Sequence, residues 1–148
     1  TCRAWCRGWK ETLKKRERPR LLVIGGYSSE GGTVNSLERY DPSTNAWEGE
    51  AVAPMPSARN YVGMVVLDGK VYAAGGRGAD DATFNLVERY DLATKSWEAV
   101  APMGTARSDH GVAVLDGKVY AVGGVNDGWL SSVERYDPAA NAWEAVAP

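Results

Sequence analysis

Three consecutive residues, Ser108, Asp109 and His110, are of the types that form a nucleophilic triad, in which an imidazole takes the proton of a Ser hydroxyl and a carboxylate orients the imidazole. Neighbouring side chains along an extended chain point to opposite faces, so these three cannot converge on one reacting atom. His110 is also the only histidine, and a copper site needs several imidazole ligands. The sequence therefore predicts no catalytic residue and no enzymatic activity.

Three aspartates recur in the same surroundings, which raises the idea of a carboxylate ring around a metal ion. Asp41, Asp91 and Asp137 each follow a Tyr and precede a turn, where an Asp side chain caps backbone N–H groups, and we favour that role. Cys2 and Cys6 lack further ligands for zinc. The glycine pairs lack the Lys-Ser/Thr and the helix that follow a phosphate loop. We therefore predict no metal and no cofactor.

The aspartates belong to a segment that the chain contains three times: LERYDPSTNAWE from Leu37, VERYDLATKSWE from Val87 and VERYDPAANAWE from Val133. A catalytic site is needed once, whereas a structural unit that cannot bury its own faces must be repeated. Paired glycines also recur, 50 and then 48 residues apart. The recurring positions, to which we assign structural roles, are Gly25, Gly26, Tyr40, Trp47, Gly75, Gly76, Tyr90, Trp97, Gly123, Gly124, Tyr136 and Trp143.

Each full copy has the pattern of four short antiparallel strands. GVAVL and KVYAV are joined by Asp116-Gly117, a two-residue link that favours a type I′ hairpin because both central positions need positive φ. SSVERYD predicts a third strand and NAWEAV a fourth. The strands are almost continuously apolar or aromatic, which indicates sheets covered on both faces. Such sheets at this period describe the blades of a propeller.

The double glycine, the Tyr of ERYD and the Trp seven residues later resemble the signature of the Kelch repeat, over residues 21–148. The resemblance implies an all-β fold: a Kelch-type β-propeller of about three blades, half of a six-bladed ring. It implies a partial blade over 21–52 and full blades over 53–100 and 101–148. ETLKKRER stands where the partial blade should have its first strand. The chain begins with Thr, and we expect it to be a piece of a longer protein.

A large aromatic ring at the same place in every blade is typical of packing between blades, where one ring buries about 150–250 Å². We therefore expect Trp47, Trp97 and Trp143 to lie between blades rather than to stack on a ligand. The end blades of a partial ring lack a neighbour on one side, so the sequence also predicts self-association of the partial propeller.

Partner contacts are expected where the copies differ. The resemblance implies that the loops after the glycine pairs and at the blade entrances form one partner-binding face. The residues assigned to that face are Tyr27, Arg77, Tyr61, Asn60, Arg107, Ser108 and His110. Val125 takes the loop position that Tyr27 and Arg77 take in the other copies. Arg59 recurs as Arg107, and this recurrence leaves a structural role open for Arg59 and Arg107. Arg77 and Arg107 together favour an acidic peptide or loop as the partner, because guanidinium groups grip carboxylates.

Trp129 lies in the loop VNDGWLS, outside the repeated positions. It is either an anchor for a partner or a local packing plug, and we favour the plug.

Charge separates residues 1–20, with a net charge of +6, from the rest of the chain, with −8. In this basic tail, residues 2, 5, 6, 9 and 13 fall on one helical stripe of Cys, Trp and Leu. The tail is either the end of a preceding helical domain, or a disordered leader or mis-joined exon. KKRER resembles a nuclear-import patch. The acidic remainder argues against a nucleic-acid partner, and no run of eighteen apolar residues supports a membrane span.

We expect a protein-protein interaction module, cytoplasmic or nuclear in location, whose partner is another protein. The resemblance further implies substrate recognition in a cullin-dependent ubiquitin ligase adaptor. The alternative is a fragment of a carbohydrate-active or small-molecule enzyme built on the Kelch fold.

Overall fold

The computed structural model describes residues 21–29, 32–48 and 53–147, and the predicted tail over residues 1–20 lies outside these ranges. The described residues form strands and no helix, so none of their segments is a helix able to cross a membrane. The strands are β1 (Leu21–Ser28), β2 (Gly32–Asp41), β3 (Ala46–Glu48), β4 (Gly63–Leu67), β5 (Lys70–Ala74), β6 (Val87–Asp91), β7 (Ser96–Val100), β8 (Gly111–Leu115), β9 (Lys118–Val122), β10 (Val133–Asp137) and β11 (Ala142–Val146).

These strands form three antiparallel sheets, which we name blades 1, 2 and 3. Blade 1 has the order β1-β2-β3, blade 2 the order β4-β5-β6-β7, and blade 3 the order β8-β9-β10-β11. Within each blade, every strand pairs with the next one along the chain, as hairpin connections require. The predicted all-β architecture of one three-stranded and two four-stranded blades is confirmed, while the predicted sequence limits of the blades stay a prediction.

The first hairpins of blades 2 and 3 turn at Asp-Gly, as the sequence predicts. Asp116 and Gly117 have φ angles of 49° and 71°, so both central positions lie in the left-handed region that a type I′ turn requires. Gly117 takes that conformation without the strain that a Cβ would add. Asp68 and Gly69 repeat the turn in blade 2, with φ angles of 50° and 71°.

Blade 1 departs from the predicted loop pattern. The sequence predicts a loop, YSSEGGTVNS, directly after the first glycine pair, but β1 continues through Tyr27, which pairs with Thr33 of β2. The register of the ladder shifts between Ile24 and Gly26. This β-bulge absorbs the glycine pair and lets both strands continue beyond it. The loop of blade 1 is therefore shorter than expected.

Apolar side chains of adjacent blades meet in two joints, which form the core. In blade 2, Val71 and Ala73 face blade 1, whereas Tyr72 and Ala74 face blade 3. Covering both faces explains why successive strand positions are apolar. The joint between blades 1 and 2 contains Ile24, Leu37, Met55, Val71, Ala73 and Tyr90. The joint between blades 2 and 3 contains Leu67, Tyr72, Ala74, Val87, Met103, Val119, Ala121 and Tyr136.

Two tryptophans complete these joints. The indole N–H of Trp97 donates to the carbonyl oxygen of Ala53 at 2.9 Å, and that of Trp143 donates to Ala101 at 2.9 Å. Each acceptor lies in the segment that connects the preceding blade to the blade of the tryptophan. Trp47 has the same position in blade 1 but is 54% exposed, because the described residues place no blade against that side. The inter-blade position expected for Trp47 therefore stays a prediction.

A candidate partner-binding face

A ladder of main-chain hydrogen bonds runs across one end of the three blades. In blades 1 and 2, the second glycine of each pair donates to a carbonyl at the entrance of the next blade. In blades 2 and 3, an entrance residue pairs in both directions with the residue after the glycine pair of its own blade. The N···O distances lie between 2.8 and 3.0 Å, and the bonds join Gly26 to Arg59, Asn60 to Arg77, Gly76 to Arg107 and Ser108 to Val125.

This ladder gathers the predicted loop and entrance residues at one end of the domain. Tyr27 follows Gly26, Tyr61 follows Asn60, and the loop with Trp129 follows the last rung. We use the name loop face for residues 27–29, 32–33, 60–61, 77–86, 108–110 and 125–132. Because main-chain groups hold these segments together, their exposed side chains are left for other contacts.

Three aromatic side chains project from the loop face into solvent. Tyr27 is 75% exposed, Tyr61 is 55% exposed and Trp129 is 91% exposed. The exposure of Trp129 makes the favoured interpretation of a packing plug wrong. Its main chain bridges back to Val125, so the position of the residue is fixed although its ring is free.

Tyr61 has a strained backbone. Its φ angle is 51°, in the left-handed region that a bulky residue rarely adopts. Asp109 takes the equivalent position in blade 3, with the same φ angle of 51°, and its N–H donates to the Tyr61 carbonyl at 3.2 Å. Backbone strain of this kind costs on the order of 1–3 kcal/mol and is concentrated at functional sites. The entrance loops of neighbouring blades thus hold each other in an unusual conformation that turns Tyr61 outward.

Arg107 is buried, contrary to the expectation that it contacts a partner. The residue is 0% exposed, and its guanidinium donates to Glu134 at 2.6 Å and to the carbonyl oxygen of Gly123 at 2.7 Å. Arg59 is also 0% exposed and donates to Glu88 at 2.7 Å in blade 2. Each guanidinium ties its blade entrance to the strands of the same blade. Arg59 and Arg107 therefore have the structural role that the sequence analysis left open for them.

The surroundings of Glu134 and Arg59 shift the pKa values of these two side chains. Burial raises the pKa of Glu134, but hydrogen bonds from Arg107 and from the main-chain N–H groups of Gly104 and Thr105 outweigh burial, so the pKa lies below its ordinary value. Burial lowers the pKa of Arg59, and the charge of Glu88 opposes this shift. A guanidinium nevertheless stays protonated at any pH at which proteins fold.

Ser108 and His110 also lie inside, at 1% and 8% exposure, and are not offered to a partner. The Ser108 hydroxyl donates to the carbonyl oxygen of Val125 at 3.3 Å. The His110 ring packs so closely on blade 2 that a Cβ on Gly63 would lie 2.6 Å from its Nε2. Neither ring nitrogen has a hydrogen-bond partner among the described residues. Burial, followed by the positive charge of Arg107, lowers the pKa of His110 to about 4, so the imidazole is neutral at pH 7.

Asn60 and Arg77 remain at the surface as half-buried side chains. The Oδ1 atom of Asn60 and the Nε atom of Arg77 have no hydrogen-bond partner within the described ranges. Arg77 is the only Lys or Arg of the loop face. The exposed charges of the loop face are carboxylates: Asp80, Asp81, Asp109 and Asp127.

The recurring aspartates cap turns, as predicted. The Oδ1 atom of Asp91 accepts from the N–H of Ala93 at 2.8 Å and from that of Thr94 at 3.2 Å, and Lys70 pairs with the same carboxylate. These contacts, with Lys70 foremost, lower the pKa of Asp91 to about 2. Within residues 21–29, 32–48 and 53–147, no group of three or more His, Cys, Asp or Glu side chains is placed to hold a metal ion.

Sequence reasoning missed the roles of Glu88 and Glu134. Both are the Glu of VERYD, and they lie 29 and 27 residues after the arginines that they bind, Arg59 and Arg107. An acidic and a basic residue that recur together, separated by nearly the same number of residues in each copy, indicate a repeated ion pair. That signal was present in the sequence and could have identified both pairs.

The chain resembles known proteins over most of its length. The KLHDC2/KLHL20/DRC7 Kelch-repeats domain matches residues 8–148. Kelch-like protein 33 of Homo sapiens is 42% identical over 57 residues, which cover 37% of this chain and 10% of that protein. The matched stretch thus spans about a tenth of the length of this curated relative. Given the match over residues 8–148 and the three antiparallel blades that carry the repeated Gly-Gly, Tyr and Trp positions, the chain belongs to the Kelch-repeat family.

Proposed function

We propose that the chain recognises a protein partner through the loop face. As a Kelch-repeat domain, the chain is a protein-interaction module. The observation that carries the proposal is the exposure of Tyr27, Tyr61 and Trp129 on segments fixed by main-chain hydrogen bonds. Aromatic rings on a rigid frame bury a large area on binding and lose little conformational entropy, which is why they dominate binding energy at interfaces.

The charge of the loop face favours a basic partner segment over the acidic peptide expected from the sequence. Arg107 is one of the two arginines expected to bind carboxylates of the partner, but it is paired with Glu134 inside blade 3. The exposed carboxylates attract Lys and Arg, and a guanidinium also stacks on exposed aromatic rings. We therefore propose that the partner presents a Lys- or Arg-containing peptide or loop. Asn60 and Arg77 supply polar contacts beside the rings.

Partner binding is tested by comparing the parent chain with a Tyr61→Ala, Trp129→Ala double variant. The matched control is Leu92→Ala, since Leu92 is 42% exposed in the turn at the opposite ends of the strands. Removing two aromatic contacts should weaken capture of the cognate partner at least about tenfold, whereas the control should bind like the parent. Peptide arrays of matched basic and acidic sequences test the charge, and binding to basic peptides should weaken as salt increases.

Equal binding by the parent and the double variant would move the partner site away from the loop face. Preferential binding of acidic peptides would contradict the proposed chemistry but leave the site in place.

A finer proposal is that the partner is the substrate of a cullin-dependent ubiquitin ligase, for which this domain belongs to the adaptor. The support is the likeness to Kelch-like proteins rather than any residue of the loop face. The test uses the full-length protein that contains this chain. A cullin should co-purify with it, and the partner should accumulate when the protein is depleted. Rescue with the parent should reverse this accumulation, and rescue with the double variant should not. A partner that binds without any change in abundance would contradict the ligase role alone.

A further inference from the structure

An ionisable ring fills one of the two joints. His110, in the entrance segment of blade 3, packs on two glycines of blade 2. A Cβ on Gly63 would lie 2.6 Å from the ring atom Nε2, and a Cβ on Gly75 would lie 2.9 Å from Cε1, so both glycines make room for the ring. In the joint between blades 1 and 2, the equivalent position is Val62, three residues after the buried arginine. The two joints therefore differ in one titratable side chain.

The closed joint accommodates the His110 ring only in its neutral form. Both ring nitrogens are buried and have no hydrogen-bond partner among the described residues. A neutral imidazole leaves one N–H unpaired there, whereas a protonated imidazole adds a second N–H and a positive charge. An unpaired buried charge costs far more free energy than an unpaired neutral group. Protonation of the ring therefore works against the packing of blade 3 on blade 2.

The charges around the ring do not compensate a proton on it. Burial has the largest effect on the pKa of His110, and the positive charge of Arg107 lowers this pKa further. The carboxylate of Glu134 is already paired with Arg107 at 2.6 Å. The other charged residues on the segments around the ring are Asp109 and Asp127 in blade 3, both exposed to solvent, and Arg77 in blade 2. Solvent and salt screen the two exposed carboxylates.

The segment that contains His110 also connects the loop face across this joint. The carbonyl oxygen of Arg107 accepts from the N–H of Gly76 at 2.9 Å, and the N–H of Asp109 donates to the carbonyl oxygen of Tyr61 at 3.2 Å. His110 directly follows Asp109, so a ring that leaves the joint strains both bonds. These bonds help to fix Tyr61 of blade 2 relative to the segments of blade 3 that hold Trp129.

We propose that protonation of His110 opens the joint between blades 2 and 3 at the loop face, and that this opening releases a partner held across Tyr61 and Trp129. The release rests on the function proposed above, whereas the opening depends on no partner. In the open joint water reaches the ring, which then binds a proton more readily than in the closed joint. Acid therefore favours the open state, and neutral solution favours the closed one.

Hydrogen exchange at pH 7 and pH 5, corrected for the effect of pH on intrinsic exchange, tests the opening. The amides of Gly76 and Asp109 are the reporters because their hydrogen bonds cross this joint. The amide of Gly26 is the internal control because its bond to Arg59, at 3.0 Å, crosses the other joint. Protection of the two reporters should fall at least about tenfold at pH 5, whereas that of Gly26 should change less than about twofold.

His110→Val is the matched variant, because it copies Val62 of the other joint and cannot titrate. Its two reporter amides should be equally protected at pH 5 and pH 7. If circular dichroism shows that this variant is unfolded, His110→Gln takes its place as a polar side chain that does not titrate in this range.

Fluorescence anisotropy with a labelled peptide tests the release. The probe is a basic peptide selected on the arrays of the previous experiment, with Lys or Arg but without His, Asp or Glu, so that its own charge is constant between pH 7 and pH 5. The Kd of the parent for this peptide should increase at least about fivefold at pH 5. The Kd of His110→Val should change less than about twofold.

Reporter amides that keep their protection at pH 5 would overturn the proposal. So would an equal loss of protection in His110→Val or at Gly26, since the opening would then be independent of His110 or spread over the whole chain. Opening without any change in the Kd of the peptide would overturn the release alone. If no basic peptide binds at pH 7, the proposed function fails and the release fails with it, whereas hydrogen exchange still decides whether the joint opens.

Discussion

Two buried arginines, Arg59 and Arg107, have the same structural role in blades 2 and 3. Arg59 and Arg107 each enter a blade from the segment that connects it to the previous one, and each pairs with the Glu of VERYD. The chain keeps a cation inside because the carboxylate and main-chain carbonyls replace the water that the guanidinium loses. The pair therefore fixes the entrance segment from which Asn60 and Tyr61, or Ser108 and Asp109, extend onto the loop face.

Replacing Arg107 by Met should destabilise the domain strongly. The substitution leaves the buried carboxylate of Glu134 without its cation, and breaking a buried pair in this way costs about 3–5 kcal/mol. The control is Arg77→Met, because Arg77 is half-buried and its Nε atom has no partner among the described residues, and it should cost less than about 1 kcal/mol. Urea denaturation measures the free energy of unfolding of both variants. Equal stabilities would mean that the Arg107–Glu134 pair contributes nothing to folding.

His110 should make stability depend on pH in a defined window. Its pKa is about 4 in the folded state and 6.5 as an ordinary value, so the unfolded chain binds the proton more readily. The free energy of unfolding is thus complete above pH 6.5 and falls as the pH decreases towards 4, by roughly 3 kcal/mol. The chain has no other histidine, so the upper part of this window belongs to His110.

The measurement is urea unfolding between pH 7 and pH 4.5, with His110→Gln as the comparison. The variant should lose most of this slope, whatever its absolute stability. A variant that keeps the slope of the parent would assign it to other groups.

At the residue scale, the turn conformations and turn caps were predictable from the sequence, whereas the burial of individual side chains was not. The Asp caps and the Asp-Gly turns depend on neighbours within a few residues, so the sequence contains the information. The positions of Arg107, Ser108 and His110 depend on partners in another strand or blade, such as Gly63 and Val125. An entrance residue looks the same in the sequence whether its side chain turns towards the joint or towards solvent. The clustering of the loop and entrance segments was therefore predictable, whereas the exposure of their individual side chains was predictable only in part.

The Tyr–Trp pair is the repeated feature of the strand elements. Tyr90 of β6 lies directly opposite Trp97 of β7, with ring centroids 5.2 Å apart, and blade 3 repeats the pair at 5.3 Å. Such a cross-strand aromatic contact adds about 0.5–1.5 kcal/mol beyond the area it buries. The Trp side chain also reaches the preceding blade, so one residue joins strand pairing to blade packing.

Replacing Trp97 by Ala should therefore damage folding rather than a binding surface. Truncating a large ring in a packed joint costs about 3–5 kcal/mol, towards the lower end here because Trp97 is only partly buried. Trp129→Ala is the control, since its 91% exposed ring packs on little and its loss should cost less than about 0.5 kcal/mol. Thermal melting distinguishes the two. A Trp97→Ala chain that melts within a degree or two of the parent would contradict a structural role in the joint.

The strands themselves were largely predictable because β-branched runs, Asp-Gly links and turn residues all indicate the same limits. Blade 1 is the exception. Its glycine pair forms a bulge inside a continuing ladder, whereas VYAAGG ends at its glycines. The strand continues past the glycine pair in blade 1 because Tyr27 pairs with Thr33. The glycine pair has the same sequence in both blades and so does not predict whether the strand ends or continues.

At the scale of the whole molecule, the blades should differ in stability although their sequences are similar. Blade 2 is packed on both sides, whereas blades 1 and 3 each expose one face. Stability in a repeat array is close to a sum over units and their joints, so the unit with two joints opens least. Main-chain amides of β5 and β6 should therefore exchange hydrogen more slowly than those of β1 and β2 or of β9 and β10.

Hydrogen-exchange mass spectrometry at low protein concentration measures this gradient, because dilution keeps single copies from protecting each other. Uniform protection across the three blades would mean that the chain unfolds as one unit.

The propeller architecture was predictable from the period and composition of the repeat. The segment ETLKKRER has neither the apolar content nor the Asp-Gly turn of its counterparts, so the sequence predicts no first strand for blade 1, and this segment lies outside the described residues. The exposure of Trp47 did not follow from the repeat alone, since its own segment matches the other copies and the described residues place no blade against it.

The main-chain ladder of the loop face has a consequence for evolution. Its rungs connect amide and carbonyl groups, which every residue except proline can provide, so drift in the loop sequences leaves the ladder intact. Under the function proposed above, mutations at Tyr27, Tyr61 or Trp129 would therefore change the partner that is bound while the folding free energy hardly changes. Descendants of one ancestral gene could in this way acquire new partners on an unchanged frame, and selection would preserve the glycine pairs and buried ion pairs while the outward side chains diversify.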